Sequence, residues 1–233
     1  MTDYHSHILP GIDDGSSCVA DSLEMLRRLN EQGVDTVALT PHFYANHNSM
    51  EHFLARRNRA MEQLQEALSG DVPRLLLGAE VLYYRGVSHL EQLKQLCLEG
   101  TNVLLLEMPF SHWGEYEVRE VCEMAVSGDV TVLLAHIERY LAFQSNKTWD
   151  RLLECGVLMQ SNAEFFLTPM LRRRAIQMLR QDRIHLLGTD THNLTTRAPH
   201  MDTALAYIGK ELGQDFREFF ESRSDDFLEY LTH

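Results

Sequence analysis

His5-Ser6-His7 and Asp190-Thr191-His192 stand far apart in the chain, and each sets two metal-ligand residue types two positions apart at the end of an apolar run. Alternate residues of an extended segment point the same way, so each pair could aim two side chains at one point. Other apolar runs close on similar residues. His42 follows Thr40-Pro41, Glu80 follows Gly78-Ala79, Glu107 follows three leucines, and His136 follows Leu134-Ala135. Asp13-Asp14-Gly15 adds a carboxylate pair after the first run, of which one member would reach the common point, since neighbouring residues point apart. A histidine or glutamate after a single strand carries little weight. A buried carboxylate, however, costs several kcal/mol unless paired, and the strand ends here offer mainly histidine and aspartate as company for Glu80 and Glu107.

The set is five histidines (5, 7, 42, 136, 192) with Glu80, Glu107, Asp190 and one of Asp13 and Asp14. That is too many for a single zinc held by three or four ligands. It suits two or three divalent ions sharing carboxylates. Imidazole mixed with carboxylate, without thiolate, suits Mn, Fe or Zn and is too nitrogen-rich for Ca or Mg. Neighbouring ions of this kind acidify a water and clamp the attacking and leaving oxygens of a phosphoester. Arg139 in His136-Ile137-Glu138-Arg139-Tyr140 and Arg197, five residues after His192, could bind phosphate bidentately. The plainer reading makes each arginine half of an ion pair, for Arg139 with Glu138 or Glu107. His47, His52, His89, His112, His185 and His233 read as surface or packing residues, while His200 falls at a helix start just beyond Arg197. A cysteine-phosphatase nucleophile needs an arginine six residues on. Cys18, Cys97, Cys122 and Cys155 are followed there by Glu24, Val103, Gly128 and Ser161, so these four are expected to be buried or partly buried free thiols.

Short apolar runs at 2–5, 36–39, 74–77, 102–106, 130–134, 157–160 and 184–187 predict strands. Helices are expected at 18–32, 49–68, 87–98, 114–127, 146–155 and 169–181, with further helices filling about 200 to 231. Strict alternation implies a parallel sheet, and strands apolar throughout imply one buried on both faces. Six of the seven strands end in a candidate ligand. Convergence of many strand ends on one face is the habit of a barrel rather than of an open sheet with a single switch point. No glycine-rich phosphate loop, internal repeat or linker is visible, so 1–233 is read as one α/β domain: a distorted seven-stranded (β/α)7 TIM-like barrel. The chain has 233 residues, is 44% hydrophobic and carries a formal net charge of −13. That acidity argues against nucleic acid as a partner. With no basic-then-apolar leader and no apolar run near 18 residues, a cytoplasmic protein without membrane insertion is expected.

His5-x-His7-x-x-x-Gly11-x-Asp13-Asp14-Gly15, Thr40-Pro41-His42, Gly78-Ala79-Glu80, Ala135-His136-Ile137-Glu138-Arg139-Tyr140 and Thr189-Asp190-Thr191-His192-Asn193-Leu194 resemble the PHP (polymerase and histidinol phosphatase) superfamily. Within it they look like the manganese-dependent bacterial protein tyrosine phosphatases of the CpsB/CapC/YwqE type, linked to capsule and exopolysaccharide synthesis. The likeness spans 2 to about 202 and leaves the last 30 residues unmatched. It implies a seven-stranded distorted barrel with a three-metal site. His5, His7, Glu80 and Asp190 would hold one ion, Glu80, Glu107 and His136 a second, and Asp14, His42 and His192 a third. It also implies that Arg139 and Arg197 bind the substrate phosphate, and that the partner is a phosphotyrosine protein such as the tail of a bacterial tyrosine kinase. Glu107 stands where many superfamily members carry histidine, in keeping with the tyrosine-phosphatase branch. Two rivals share the ligand set: a histidinol-phosphatase-like esterase of small molecules, and a non-catalytic metal-binding partner of a kinase.

Overall fold

The structure is a computed structural model and describes residues 1–231. Nine parallel strand segments alternate with helices: β1 (Thr2–Ser6), β2 (Thr36–Leu39), β3 (His42–Phe43), β4 (Arg74–Leu77), β5 (Glu80–Leu82), β6 (Val103–Glu107), β7 (Thr131–Leu134), β8 (Leu158–Asn162) and β9 (Leu186–Gly188). They pair as β1-β2-β4 and as β3-β5-β6-β7-β8-β9. The segments β2 and β3 are one run interrupted at Thr40-Pro41, where proline has no N–H to give a ladder. Similarly, β4 and β5 are separated by Gly78-Ala79. The sheet curls until its ends meet: the Asp190 N–H donates to the His5 carbonyl at 2.7 Å and the His7 N–H to the Thr191 carbonyl at 2.9 Å. The result is an α/β fold with a curled parallel sheet of TIM-like kind.

The α-helices are α1 (Val19–Glu31), α2 (Met50–Ala67), α3 (Glu115–Ser127), α4 (Asn146–Glu154), α5 (Arg172–Arg180), α6 (Met201–Leu212) and α7 (Gln214–Leu231). The helix expected at 87–98 is instead two short 3-10 turns, Val87–His89 and Leu93–Leu96. Its apolar residues, Val87, Leu90, Leu93 and Leu96, recur every third position, which is the period of a 3-10 helix. The expected helix at 169–181 begins only at Arg172, beyond Pro169, and the last strand lies at Leu186–Gly188 rather than 184–187. Cys97 and Cys122 are buried and Cys155 partly so, but Cys18 is exposed just before α1. Among the described residues no helix is long and apolar enough to cross a membrane.

Period-two alternation divides the core. Leu104 and Leu106 of β6 face the large cluster under the helices, while Val103 and Leu105 join a smaller cluster with Tyr4, Ala38, Leu76, Leu133 and Leu186. Glu107 continues the Val103-Leu105 face and so stands at the end of that inner cluster. The β1–β2 register passes from Asp3↔Val37 to Ser6↔Leu39, three steps against two. Tyr4, in the inner cluster, and its neighbour His5, beyond it, are both fully buried, as neighbours can be in a strand covered on both faces.

His185 lies in the stretch before β9, where its Nδ1 accepts the Met159 N–H at 2.9 Å. Burial, assisted by Arg223 against the pull of Asp182, holds its pKa below the ordinary value. The unfolded chain therefore takes up this proton more readily, and the stability it confers is present at neutral pH and lost as pH falls below about 6.5. Urea titrations of wild type and His185→Gln at pH 7.5 and pH 5.5 should show the acid-induced loss reduced in the variant. An equal loss in both would contradict this.

Candidate metal centre

All nine sequence-predicted ligands come together at the C-terminal ends of the strands. They form four overlapping groups: His7-Asp14-His42-His192, His5-His7-Asp190, His5-Glu80-His136 and His42-Glu80-Glu107, each with one donor atom per residue within 4.8 Å of the others. The groups differ from the expected partition, because His7 also faces the Asp14 group and His42 also faces Glu80 and Glu107. Close backbone approach makes the convergence possible. A Cβ on Gly188 would lie 2.5 Å from the His5 Cβ, and one on Gly15 would lie 2.1 Å from the His7 carbonyl oxygen. His136 and Asp190 hold φ values of 32° and 52°, the left-handed region in which non-glycine residues are uncommon and which recurs at functional sites.

The ring nitrogens show what the cluster is built for. His5 Nδ1 faces Gln160 Oε1 at 3.3 Å, His7 Nδ1 faces Asp13 Oδ2 at 2.8 Å and His192 Nδ1 faces the Asp190 carbonyl at 2.8 Å. Each acceptor fixes the ring proton on Nδ1 and turns the Nε2 lone pair to the centre, the way histidine is presented to a metal. His5 Nε2 and His7 Nε2 then face one another at 3.1 Å. Glu80 Oε2 stands 3.4 and 3.3 Å from these two atoms, and Asp190 Oδ1 stands 3.6 and 3.5 Å from them. Donors separated by this much can share a first-row divalent ion about 2 Å from each, and His5, His7 and Asp190 make one such group.

Buried Glu80 Oε2, His42 Nδ1, His136 Nδ1 and His192 Nε2 make no hydrogen bond. The first two stand only 2.8 Å apart but lack hydrogen-bond alignment. Buried polar atoms are nearly always satisfied, so Glu80 Oε2, His42 Nδ1 and His192 Nε2, which face other donors of the cluster, fit a set shaped for cations. Glu80 Oε1 meets His136 Nε2 at 2.8 Å, and Glu107 Oε1 stands 3.5 Å from that nitrogen.

The charges agree. Burial opposes ionisation of Glu80, yet the imidazoles around it, His5 foremost, hold its carboxyl well below the usual range. Burial likewise opposes a charged His7, but Asp13 and Glu80 raise its pKa to about 10. His136 is raised to about 9 by Glu107 and Glu80 against the same burial. Burial and the neighbouring His7 lower His192 to about 4. The carboxylates thus draw positive charge to the cluster, supplied either by protons on His7 and His136 or by a divalent ion that takes the place of those protons.

Of the Asp13-Asp14 pair, Asp13 is committed: its Oδ2 accepts from His7 and from the His42 N–H at 3.1 Å, and its Oδ1 accepts from the Gly15 N–H at 3.0 Å. Asp14 is 65% exposed, with Oδ1 3.3 Å from His42 Nε2 and 3.5 Å from His192 Nε2. Arg139 pairs with Asp190 Oδ2, not with Glu138 or Glu107, and Arg197 Nη2 donates to Asp190 Oδ1 at 2.7 Å. Both guanidiniums stay about one-third exposed, at 35% and 34%. His200 joins Asn162, Asp190 and Arg197 around a small cavity. His233 lies outside the described residues.

Sequence reasoning credited one strand with nothing, and that strand supplies the frame. Gln160 Oε1 accepts the His136 N–H at 2.7 Å, Gln160 Nε2 donates to Asn162 Oδ1 at 3.0 Å, and Asn162 Nδ2 donates to Asp190 Oδ2 at 2.9 Å. Gln160 and Asn162 repeat the two-apart spacing of His5 and His7 at the end of β8. Their amides went uncounted because only ligand types were sought. Asp3 was also missed. It accepts from the Thr189 N–H at 2.8 Å and the Thr189 hydroxyl at 2.6 Å, joining β1 to the segment after β9.

The family model for capsular polysaccharide synthesis, CpsB/CapC, matches residues 1–227. The chain belongs to that family. The match takes in α6 and most of α7, so the C-terminal helices left unmatched by the motif resemblance are part of it. Tyrosine-protein phosphatase YwqE of Bacillus subtilis is 33% identical over 223 residues, covering 92% of this chain and 86% of its own. Tyrosine-protein phosphatase CpsB of Streptococcus pneumoniae is 27% identical, covering 91% of each. A crystal structure from work on these two proteins, described as unique metal-dependent tyrosine phosphatases, superposes with a TM-score of 0.84 at 26% identity, covering 100% of this chain and 94% of its own. Histidinol phosphate phosphatase of Lactococcus lactis, with a TM-score of 0.57 at 14% identity over 90% of this chain and 92% of its own, shares the fold alone.

Because the amide pair of β8 orients His5, His136 and Asp190, Gln160→Leu should weaken metal affinity about 10- to 100-fold while the protein stays folded. Competition between the protein and a fluorescent chelator for Mn²⁺ or Zn²⁺ measures this directly. Wild-type affinity in the variant would refute the role.

Proposed function

We propose that this CpsB/CapC-family chain is a metal-dependent protein tyrosine phosphatase acting in capsule or exopolysaccharide synthesis. In this reading His5, His7, Asp14, His42, Glu80, Glu107, His136, Asp190 and His192 hold two to three divalent ions, Mn²⁺ foremost, with Glu80 shared. The nine strand segments count as seven runs of a closed (β/α)7 barrel forming one domain, and the protein works in the cytoplasm on a phosphotyrosine protein, such as the tail of a bacterial tyrosine kinase. The observation that carries the reading is the convergence of nine donor residues beside two half-open arginines that share one carboxylate, in a chain 33% identical to a named tyrosine-protein phosphatase.

The bound ions would supply an acidified water as nucleophile and positive charge for the phosphoryl oxygens. The chain's own groups do the rest. Asp190 holds Arg139 and Arg197 at the edge of the cluster, each with N–H groups left for a phosphate. Two guanidiniums can take two non-bridging oxygens and fix the phosphorus against the cluster, and their charge counts for most as it builds on those oxygens. Asn162 holds their shared carboxylate in turn, and Gln160 holds Asn162. A phenolate leaves with a pKa of about 10 and needs less protonation than an alkoxide, so no dedicated acid is required.

Chelated protein should be inactive on a phosphotyrosine peptide and recover with Mn²⁺. His136→Ala should stay inactive under both conditions, and Arg139→Ala should lose about 10²- to 10³-fold in kcat/KM. Activity confined to small alkyl phosphates would move the substrate class to that of a histidinol-phosphatase-like esterase. Full activity without metal would end the account.

A further inference from the structure

Phe110 is a large apolar side chain left 51% exposed. It comes three residues after Glu107. Its ring lies nearly parallel to the His136 ring, with centroids 5.9 Å apart and planes 25° apart, and to the Tyr140 ring at 5.5 Å and 28°. Tyr140 packs edge-on against Trp113 at 5.0 Å, and Trp113 against Trp149 at 5.5 Å, so Phe110 is the outer end of a buried aromatic row. The loop that carries it is tied at several points. The Met108 N–H donates to the Tyr140 hydroxyl at 3.0 Å, the Ser111 N–H to the Pro109 carbonyl at 2.8 Å, Gln144 Nε2 to the Ser111 carbonyl at 2.7 Å, and the Trp113 N–H to Gln144 Oε1 at 3.2 Å. An exposed phenyl ring on so constrained a loop is presented rather than merely left over, and holding it in place lowers the ordering cost of binding to it.

We propose that Phe110 is the platform on which the substrate's phenyl ring stacks, making it a specificity-determining residue for aryl over alkyl phosphates. This rests on the phosphatase reading above. The turn Ile137–Tyr140 links the two ends of the substrate: it carries Arg139 for the phosphate and Tyr140 beneath Phe110, with His136 immediately before it. In an aryl phosphate a single oxygen separates phosphorus from the ring. A ring platform touching His136 is therefore at the right remove for a phosphoryl group held by Arg139 at the same cluster. On the other flank Tyr44 stacks on His42, with centroids 5.1 Å apart, and His42 and His136 approach opposite oxygens of Glu80. The mouth is thus aromatic on both sides of the shared carboxylate. A phosphorylated serine offers nothing to such walls.

The test uses the Mn²⁺-loaded protein and its Phe110→Ala and Phe110→Tyr variants. Calorimetry gives the affinity for a peptide bearing a non-hydrolysable phosphonate analogue of phosphotyrosine and for the same peptide bearing an alkyl phosphonate. Kinetics on the phosphotyrosine peptide run alongside. A stacked aromatic pair supports a loss of about tenfold or more in aryl-phosphonate affinity for Phe110→Ala. KM should rise by a similar factor with kcat nearly unchanged, alkyl-phosphonate affinity should not move, and Phe110→Tyr should restore aryl binding. Parallel loss of both ligands, unchanged aryl affinity in Phe110→Ala, or a wild type that binds the two phosphonates equally would overturn the proposal. A wild type that binds the aryl analogue in preference yet hydrolyses nothing would instead overturn the phosphatase reading and leave the platform standing.

Discussion

Everything in this molecule is arranged around the problem of Glu80. A carboxylate at 1% exposure must be neutralised locally, since an unpaired buried charge costs several kcal/mol. Among the described residues no lysine or arginine pairs with it. It is met by His5, His7, His42 and His136, with one oxygen in no hydrogen bond at all. Imidazoles neutralise a carboxylate poorly when they are neutral, and they repel one another when protonated. A cation placed among them removes both difficulties, and the orientation of His5, His7 and His192, each turned by an acceptor at Nδ1, presents lone pairs for it. In a chain with a formal charge of −13, such ions and the two arginines are also what would allow a phosphate to approach.

The sheet exists, functionally, to deliver that arrangement. Parallel strands bring all their C-terminal ends to one side, so residues separated by most of the chain become neighbours. The inner faces below carry leucine, valine and alanine, and the same faces end in Glu107, His5 and the β8 amides. Closure depends on short polar ties, namely Asp3 to Thr189 and the backbone pair between His5 and Asp190, rather than on a long ladder between β1 and β9. The cluster of candidate ligands and the seam of the sheet therefore share residues. Ligand geometry and fold closure are one structural feature at this point.

Much of this was legible in the chain. The His5/His7 and Asp190/His192 pairs could be read because strand periodicity is two, and Glu80, Glu107 and His136 because each ends an apolar run. The contribution of β8 was not, because Gln160 and Asn162 are amides whose roles depend on partners 24 and 28 residues away along the chain. Nor was the choice between Asp13 and Asp14, which turns on the hydrogen bonds Asp13 makes to His7, Gly15 and His42. Residues 87–98 read as α-helix, but Val87, Leu90, Leu93 and Leu96 recur every third position, the period of the two 3-10 turns that form there. The ion pairing of Arg139 with Asp190, rather than with nearby Glu138, shows the same limit: proximity along the sequence is a poor guide once the chain has closed on itself.

The central claim is that the donors around Glu80 are a binding site for divalent ions. Anomalous diffraction from crystals grown with Mn²⁺ addresses it most directly. The account predicts anomalous density between His5, His7 and Asp190, with Glu80 Oε2 in contact and further density towards His136–Glu107 or Asp14–His42–His192. A structure at saturating Mn²⁺ with no anomalous density near Glu80, and with its carboxylate closed by hydrogen bonds to histidine alone, would contradict it.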